Sequence, residues 1–128
     1  MQKIIIITGK ANSGKTQQAK ALASVFKDEE VVFISQYNEQ PQEDSFLFQF
    51  CKYHTKMVVI DEILTLKSLS KMIRRTWSGI YVNPRFISPF SIDPVLVFVC
   101  DESIKEENLI PDVFPSKIPG RVVIINCN

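Results

Sequence analysis

An unbroken β-branched run, Lys3 to Thr8 (KIIIIT), leads directly into the octapeptide Gly9 to Thr16 (GKANSGKT). The octapeptide fits the pattern G-x-x-x-x-G-K-[ST], whose glycines let successive backbone N–H groups face an anion. Apolar residues then recur at helical spacing: Ala19, Leu22, Ala23 and Phe26. Because the pattern follows a predicted strand and opens a helix predicted over 15–26, a phosphate-binding loop is favoured over an ordinary glycine turn.

Every position of this loop has an expected contact with a nucleoside triphosphate. The positions expected to bind the nucleotide are Gly9, Lys10, Ala11, Asn12, Ser13, Gly14, Lys15 and Thr16. The amino-terminal end of the helix adds a partial positive charge that attracts phosphate. Lys15 is expected to reach the outer phosphates as a catalytic residue, and the Thr16 hydroxyl is expected to bind Mg²⁺.

Two adjacent acids, Asp61 and Glu62, close another apolar run, Met57 to Glu62 (MVVIDE). In a parallel sheet the carboxyl ends of the strands open toward the ligand. Asp61 is therefore expected to hold Mg²⁺ through water, and Glu62 to orient or deprotonate an attacking water as a catalytic residue. The alternative is an acidic pair that interacts with the dipole of the following helix. The position of both acids at a strand end favours the first interpretation and indicates hydrolysis.

The rest of the chain alternates apolar runs with helical patterns. Further strands are predicted at Val31–Ser35, Pro94–Asp101 and Arg121–Asn126. A second helix is predicted from Pro41, with one face formed by Phe46, Leu47, Phe50 and Cys51. A third helix is predicted from the stripe Leu66, Leu69, Ile73 and Trp77. Strands that are apolar throughout and alternate with helices predict an α/β fold around a parallel sheet.

The size and charge of the chain limit its interpretation. With 128 residues it is expected to form one domain over residues 1–128. A net charge of +1 means that any attraction to nucleic acid has to be local. The cysteines lack metal-ligand spacing and are expected to be reduced thiols. No apolar run is long enough for a signal peptide or a membrane span, so a cytoplasmic protein with no membrane partner is expected.

At the loop and the acidic pair, the chain resembles the AAA+ branch of P-loop ATPases. The stretch from Leu66 to Asn126 is similar to the superfamily 3 helicases of small viruses, phages and plasmids. In that family a helix leads through a Ser/Thr-Gly turn, here Ser78-Gly79, into a hairpin, here IYVNPRF over 80–86. A proline, here Pro94, then precedes an apolar strand that ends in a polar sensor residue.

The resemblance implies a three-layer P-loop NTPase sandwich whose parallel five-stranded sheet has the strand order 5-1-4-3-2. It also implies ATP and Mg²⁺ as cofactors, single-stranded DNA or RNA as a partner, and assembly of identical subunits into a ring. By the same resemblance, Arg85 in the hairpin would bind nucleic acid, and Asp101 stands at the sensor position, where the family usually carries Asn. Arg121 would be catalytic, as an arginine finger that reaches the nucleotide of a neighbouring subunit.

Several alternatives stay open. Arg121 could instead be an exposed arginine at the start of a strand. A nucleic-acid-binding loop could be formed by Arg74, Arg75 and Arg85 with Trp77 and Tyr81. The favoured interpretation places Arg74 on the solvated face of the third helix and Trp77 in the core. An ionised Asp101 accepts but does not donate hydrogen bonds, which suggests a nucleotide-dependent binding or regulatory module with little turnover. A small phosphotransferase (kinase) is a further alternative, but no arginine-rich lid segment stands out in the sequence.

Overall fold

The computed structural model describes residues 3–35, 48, 50–83, 87–105 and 121–127. Its elements in chain order are β1 (Ile4–Gly9), α1 (Lys15–Ala23), a 3-10 turn (Asp28–Glu30), β2 (Val31–Ser35), β3 (Met57–Ile63), α2 (Leu66–Thr76), β4 (Ile80–Val82), β5 (Phe90–Ile92), β6 (Val95–Cys100) and β7 (Val122–Cys127). The chain is thus of the α/β class, as its sequence predicts.

Five strands form a parallel sheet in the order β2-β3-β6-β1-β7. When these five strands are numbered along the chain and the sheet is followed from its β7 edge, the order is 5-1-4-3-2, as predicted. The interior strand β1 is buried along its whole length, because strands lie on both sides of it and side chains cover both faces. A run of four isoleucines suits this position, since β-branched side chains pack well on a pleated surface.

The two helices lie on opposite faces of the sheet. Alternate side chains of β1 point to opposite faces, so Ile5 and Ile7 pack in one cluster with Ala19 of α1. Ile4 and Ile6 pack in a second cluster, which contains Leu69, Met72 and Ile73 of α2. Each of the isoleucine, leucine and methionine side chains in these two clusters contributes about 1.5–3 kcal/mol to folding by its burial.

Local signals set the ends of both helices. The helix α1 ends at Ala23, three residues before the predicted end. The N–H of Ser24 is shared between the carbonyls of Lys20 and Ala21, and the N–H of Phe26 donates to the carbonyl of Ala23, so the last turn tightens to 3-10-type bonds. In α2, Thr65 is the N-cap, and its hydroxyl oxygen accepts a hydrogen bond from the N–H of Ser68 at 3.1 Å.

The end of α2 agrees with its predicted pattern. Trp77 is half-buried against the core, whereas Arg74 and Arg75 are exposed. The predicted helix from Pro41 lies mostly outside the described residues. Of its four predicted core positions, Cys51 is buried, but Phe50 is 70% exposed and therefore does not face the core.

A separate two-stranded antiparallel ribbon, β4 with β5, follows α2. Gly79 precedes it with φ +109° and donates its N–H to the carbonyl of Thr76, so the predicted Ser78-Gly79 turn is confirmed. The strand that pairs with β4 is Phe90–Ile92, which lies beyond the predicted hairpin range of 80–86. Residues 84–86, which include Arg85, lie outside the described part of the chain. The ribbon returns to the sheet at Val95, the first residue of β6. This places its base at the amino edge of the sheet, where the parallel strands begin.

No helix among the described residues is long and apolar enough to cross a membrane. The three cysteines, all described, are free thiols: Cys51 and Cys100 are buried and Cys127 is half-buried. The prediction of reduced thiols without a disulfide agrees with this arrangement.

Candidate functional site

The loop between β1 and α1 has a backbone that depends on its glycines. Gly9 has φ +152°, and a Cβ atom there would lie 1.8 Å from the carbonyl oxygen of Cys127. Gly14 has φ +90°, in the left-handed region, but a Cβ there would meet no atom within 4 Å. Asn12, with φ +62°, is also left-handed, a conformation that Asn tolerates better than most residues. Gly9 thus serves close packing against β7, while Gly14 serves the turn into the helix.

An open cavity of about 310 Å³ lies at the start of α1 and is lined by loop and helix residues. These are Asn12, Gly14, Lys15, Thr16 and Gln17. The first intrahelical bond runs from the N–H of Gln18 to the carbonyl of Gly14, at 2.9 Å. The N–H groups that precede Gln18 in the helix have no intrahelical acceptor, and with the helix dipole they favour an anion in this cavity.

Lys15 holds two strand ends together. Its ammonium donates hydrogen bonds to the carbonyl oxygens of Gly9, at 2.7 Å, and Cys100, at 2.9 Å. The side chain is half-buried, and Lys15 also lines the cavity at the start of α1. In this arrangement the charge of Lys15 is balanced by two backbone dipoles.

Thr16 and Asp61 come together from different elements. The Thr16 hydroxyl lies 3.5 Å from Asp61 Oδ2, at the long end of the hydrogen-bond range, although the residues are 45 positions apart. Mg²⁺ keeps several of its bound waters in proteins, so a carboxylate beside a hydroxyl ligand can hold the ion through one of these waters. The pair therefore fits a Mg²⁺ site with hydroxyl and carboxylate donors. The described residues contain no group of three or more His, Cys, Asp or Glu that could hold a metal.

A bulge in β3 sets the directions of the Asp61 and Glu62 side chains. The pairing with β6 passes from Ile60 opposite Phe98 to Ile63 opposite Cys100, so Asp61 and Glu62 together face a single β6 residue. Glu62 has φ +61°, rare for a residue with a side chain, and its N–H donates to Asp61 Oδ1 at 2.7 Å. Bulges re-aim side chains beside active sites, and here Asp61 stays half-buried while Glu62 is exposed. The sequence contains no signal for this bulge.

Asp101 follows β6 on the other side of Lys15. Its carboxylate accepts a hydrogen bond from the N–H of Ser103 at 3.1 Å. Hydrogen bonds from Ser103, with a smaller contribution from the charge of Lys15, lower the pKa of Asp101 below its usual value. The group is therefore an ionised acceptor at neutral pH, next to the proposed phosphate position.

The Ser13 hydroxyl is the one buried side-chain polar atom in the described part of the chain that has no hydrogen-bond partner. The Ser13 N–H, in contrast, donates to the carbonyl of Lys10 at 3.1 Å, which closes the loop. An unpaired buried hydroxyl is costly.

The structure brings most of the predicted site residues to the carboxyl edge of the sheet. Lys15, Thr16, Asp61, Glu62 and Asp101 lie on or beside the ends of β1, β3 and β6, around the loop 9–16. Arg85 is not among the described residues, so its predicted contact with nucleic acid stays a prediction.

Arg121 lies at the opposite edge. Its carbonyl accepts the N–H of Ile4 at the start of β1, five residues and about 16 Å from Gly9. The side chain is 7% exposed, so the alternative of an exposed strand-start arginine is wrong. Its guanidinium stacks on the Trp77 ring, 3.6 Å from the centroid, and donates to the Trp77 carbonyl. Burial lowers the pKa of Arg121, and the charge of Asp93 partly opposes this. Arg121 thus takes no part in the site of its own chain.

Comparisons with known proteins show a likeness of fold alone. No protein-family model matches the chain, and no curated protein matches it. Among the solved structures, an apo structure of the C-terminal region of NrS-1 matches with a TM-score of 0.51 and 16% identity. The match covers 98% of this chain and 29% of that one, so this chain spans less than a third of its length.

Proposed function

We propose that this chain binds ATP with Mg²⁺ and hydrolyses it. The observation that carries the proposal is the approach of the Thr16 hydroxyl to Asp61 Oδ2, 3.5 Å apart, beside the Lys15 ammonium. A hydroxyl, a carboxylate and a cation at the start of a helix form a set of groups suited to a metal-bound triphosphate. The 310 Å³ cavity at the same helix end offers space for the phosphates.

Each residue has a distinct role in this proposal. Lys15 exchanges its two carbonyl contacts for the outer phosphates, and Thr16 and Asp61 hold the metal, Asp61 through water. Mg²⁺ would supply neutralisation of the charge on the phosphate oxygens. Glu62, exposed next to Asp61, accepts the proton of the attacking water. Asp101 accepts a hydrogen bond from a water on the other side of Lys15.

The same proposal interprets the fold as a three-layer P-loop NTPase sandwich. Two facts support this interpretation: the order of the five strands, and the packing of α1 and α2 on opposite faces of the sheet. A loop at the end of an interior strand, followed by a helix on one face, is the arrangement that a phosphate-binding loop requires.

Nucleotide binding and turnover, measured separately, test the proposal. Calorimetry with ATP, with and without Mg²⁺, should show binding that Mg²⁺ strengthens, and phosphate release should accompany it. Glu62→Gln should keep the affinity and lose most turnover, because an amide does not accept a proton from water. Glu29→Gln is the matched control, since Glu29 is exposed and lies in the 3-10 turn before β2. Absence of Mg²⁺-dependent ATP binding would contradict the proposal, and turnover by Glu62→Gln equal to the parent would remove the role of Glu62.

A nucleotide-dependent binding or regulatory module is a second candidate, favoured by Asp101. Its carboxylate places negative charge beside Lys15 and lacks the N–H donors of the Asn that the resembled family usually carries. Tight Mg-ATP binding without phosphate release would support this candidate over hydrolysis. Phosphate transfer to a small acceptor would instead support a phosphotransferase.

We further propose that nucleic acid is the target of the nucleotide energy, and the β4–β5 ribbon is the feature that favours this. Arg85 lies in the sequence between these two strands. Arg85→Ala should weaken binding of single-stranded DNA or RNA and reduce the salt slope by about 0.7–1, because one phosphate contact is lost. Lys67→Ala, an exposed change in the first turn of α2, is the control. Equal affinity and slope for parent and Arg85→Ala would contradict this contact.

The proposed ring and arginine finger require Arg121 to leave its stacked position on Trp77. Mixed assemblies test this role: Arg121→Ala subunits combined with Glu62→Gln subunits should regain activity, because some interfaces then pair an intact Glu62 with an intact Arg121. No recovery, together with a monomer at every ATP concentration, would contradict the arginine finger.

A further inference from the structure

Thr8, the residue before Gly9, makes a contact that the proposed mechanism has not used. It is a buried polar residue, 3% exposed, near the end of β1. Its hydroxyl donates a hydrogen bond to the carbonyl oxygen of Ile104 at 2.5 Å and lies 3.4 Å from the carbonyl oxygen of Asp101. Thr8 and Ile104 are 96 positions apart, so the bond joins two parts of the fold rather than closing a local turn.

The contact anchors the turn that carries Asp101. The Ile104 N–H donates to the Asp101 carbonyl at 3.0 Å, and the Ser103 N–H donates to the Asp101 carboxylate at 3.1 Å. The Asp101 N–H donates to the carbonyl of Ile63 at 2.8 Å, and the Ile104 side chain is 1% exposed. The position of the Asp101 carboxylate is therefore set by this turn, and the last residue of the turn, Ile104, accepts the hydrogen bond from the Thr8 hydroxyl.

Lys15 donates a hydrogen bond to the carbonyl of Cys100, the residue directly before the same turn. In the proposed function, Lys15 gives up its contact with the Cys100 carbonyl when it binds the phosphates. The hydrogen bond from Thr8 to the Ile104 carbonyl lies on the other side of Asp101 and stays in place. Thr8 is thus suited to hold the turn during nucleotide binding. Thr8 also precedes Gly9 directly, so any movement of the turn relative to β1 would also move the turn relative to the phosphate-binding loop.

We propose that Thr8 is a positioning residue whose hydroxyl fixes the Asp101–Ile104 turn to β1 and so keeps the Asp101 carboxylate beside the phosphate-binding loop. The catalytic part of this statement rests on the proposed function, whereas the anchoring of the turn does not. Removal of the hydroxyl leaves the Ile104 carbonyl without that donor inside the protein, and because an unsatisfied buried acceptor is costly, the turn should open more often.

Three variants of the full chain test the proposal. Thr8→Val replaces the hydroxyl by a methyl group of similar size, and Thr8→Ser retains the hydroxyl. Thr76→Val is the matched control, because Thr76 is also fully buried and its hydroxyl donates to the Met72 carbonyl at 2.7 Å, within α2. Amide hydrogen exchange of Ser103 and Ile104 reports on the turn, with Phe98 in β6 as the internal reference. The turnover number and KM report on catalysis.

In Thr8→Val, exchange at Ser103 and Ile104 should be about tenfold faster relative to Phe98, the size expected for one lost buried hydrogen bond. The turnover number should fall about tenfold with KM within twofold, because Lys15 and the loop still bind the phosphates. Thr8→Ser should restore both properties, and Thr76→Val should change neither, even if it unfolds more easily.

Unchanged exchange in Thr8→Val would overturn the anchoring, whatever the activity of the parent. Faster exchange with parental turnover would overturn the positioning role. A parent chain that releases no phosphate would contradict the proposed hydrolysis alone, and the exchange measurement would still decide whether Thr8 holds the turn.

Discussion

The Lys15 ammonium donates a hydrogen bond to the carbonyl of Cys100 at 2.9 Å and so joins the start of α1 to the end of β6. A second bond, to the carbonyl of Gly9 at 2.7 Å, connects the same ammonium to β1. Lys15 is therefore a structural link, in addition to its proposed role as a phosphate ligand. In the proposed function, the phosphates compete with these two carbonyls for the ammonium, so part of the attraction between Lys15 and phosphate would offset the contacts that are lost.

The first prediction is that Lys15→Ala loses both ATP binding and stability. Hydrogen bonds from a charged donor contribute about 1.5–3 kcal/mol, so the free energy of unfolding should fall by roughly that amount at most. Urea unfolding and calorimetry with ATP measure the two effects. Lys20→Ala, an exposed change in the last turn of α1, should alter neither by more than about 0.5 kcal/mol. Parental affinity in a folded Lys15→Ala chain would contradict the proposed phosphate contact.

The second prediction separates the two loop glycines. Gly9→Ala should prevent folding or destabilise it by more than about 3 kcal/mol, since its Cβ would lie 1.8 Å from the Cys127 carbonyl oxygen. Gly14→Ala meets no atom within 4 Å, so it should cost only the strain of its left-handed backbone, about 1–2 kcal/mol. Thermal unfolding compares the two variants. Equal stability of both would show that the close approach of Gly9 to β7 is not present in solution.

The third prediction concerns the backbone of Glu62. Because Glu62 has φ +61°, Glu62→Gly should be more stable than Glu62→Ala by about 1 kcal/mol, although both lack the carboxylate. At the neighbouring Leu64, which is 52% exposed and is not among the described residues with positive φ, the order should reverse and Ala should be more stable than Gly. Denaturant midpoints of the four variants decide this, and greater stability of Glu62→Ala would argue against the bulge.

The strands could be predicted from the sequence because β-branched runs are local signals. The strand at Val31–Ser35 was predicted with its observed bounds, and the predicted strand over 3–8 is displaced from Ile4–Gly9 by one residue. The predicted proximity of Thr16 and Asp61 also follows from local signals, since parallel strands all end at the same edge.

Features that depend on pairing between distant segments could not be predicted. The bulge at Asp61–Glu62 exists only relative to β6, and alternation of apolar residues does not reveal it. The burial of Arg121 depends on Trp77, 44 positions earlier in the chain. A charged residue at a strand start is normally exposed, so the sequence alone favoured solvent or a neighbouring subunit as its surroundings.

The fourth prediction concerns the cysteines and pH. Burial raises the pKa of Cys51 to about 11 and that of Cys100 to about 12, so both stay protonated in the folded chain at pH 8–9. In the unfolded chain they ionise near pH 8.5. The folded state then binds more protons than the unfolded state, and stability should fall as pH rises from about 8.5 toward 11–12.

Two measurements check this prediction. Iodoacetamide at pH 8 should label the half-buried Cys127 before Cys51 and Cys100 in the native chain, as mass spectrometry of peptides can show. Urea midpoints should be lower at pH 10 than at pH 8, and Cys100→Ala should reduce this difference. Rapid labelling of Cys100 in the folded chain would contradict its burial.

Trp77 is the only tryptophan of the chain, and the guanidinium of Arg121 covers its ring. Intrinsic fluorescence excited at the indole band therefore comes from a single position, where α2 ends and β7 begins. This position is at the edge of the sheet opposite the proposed nucleotide site, so a bound nucleotide has no direct contact with the fluorophore. A change in emission when Mg-ATP is added would then be a signal transmitted through the sheet, readable without any attached dye.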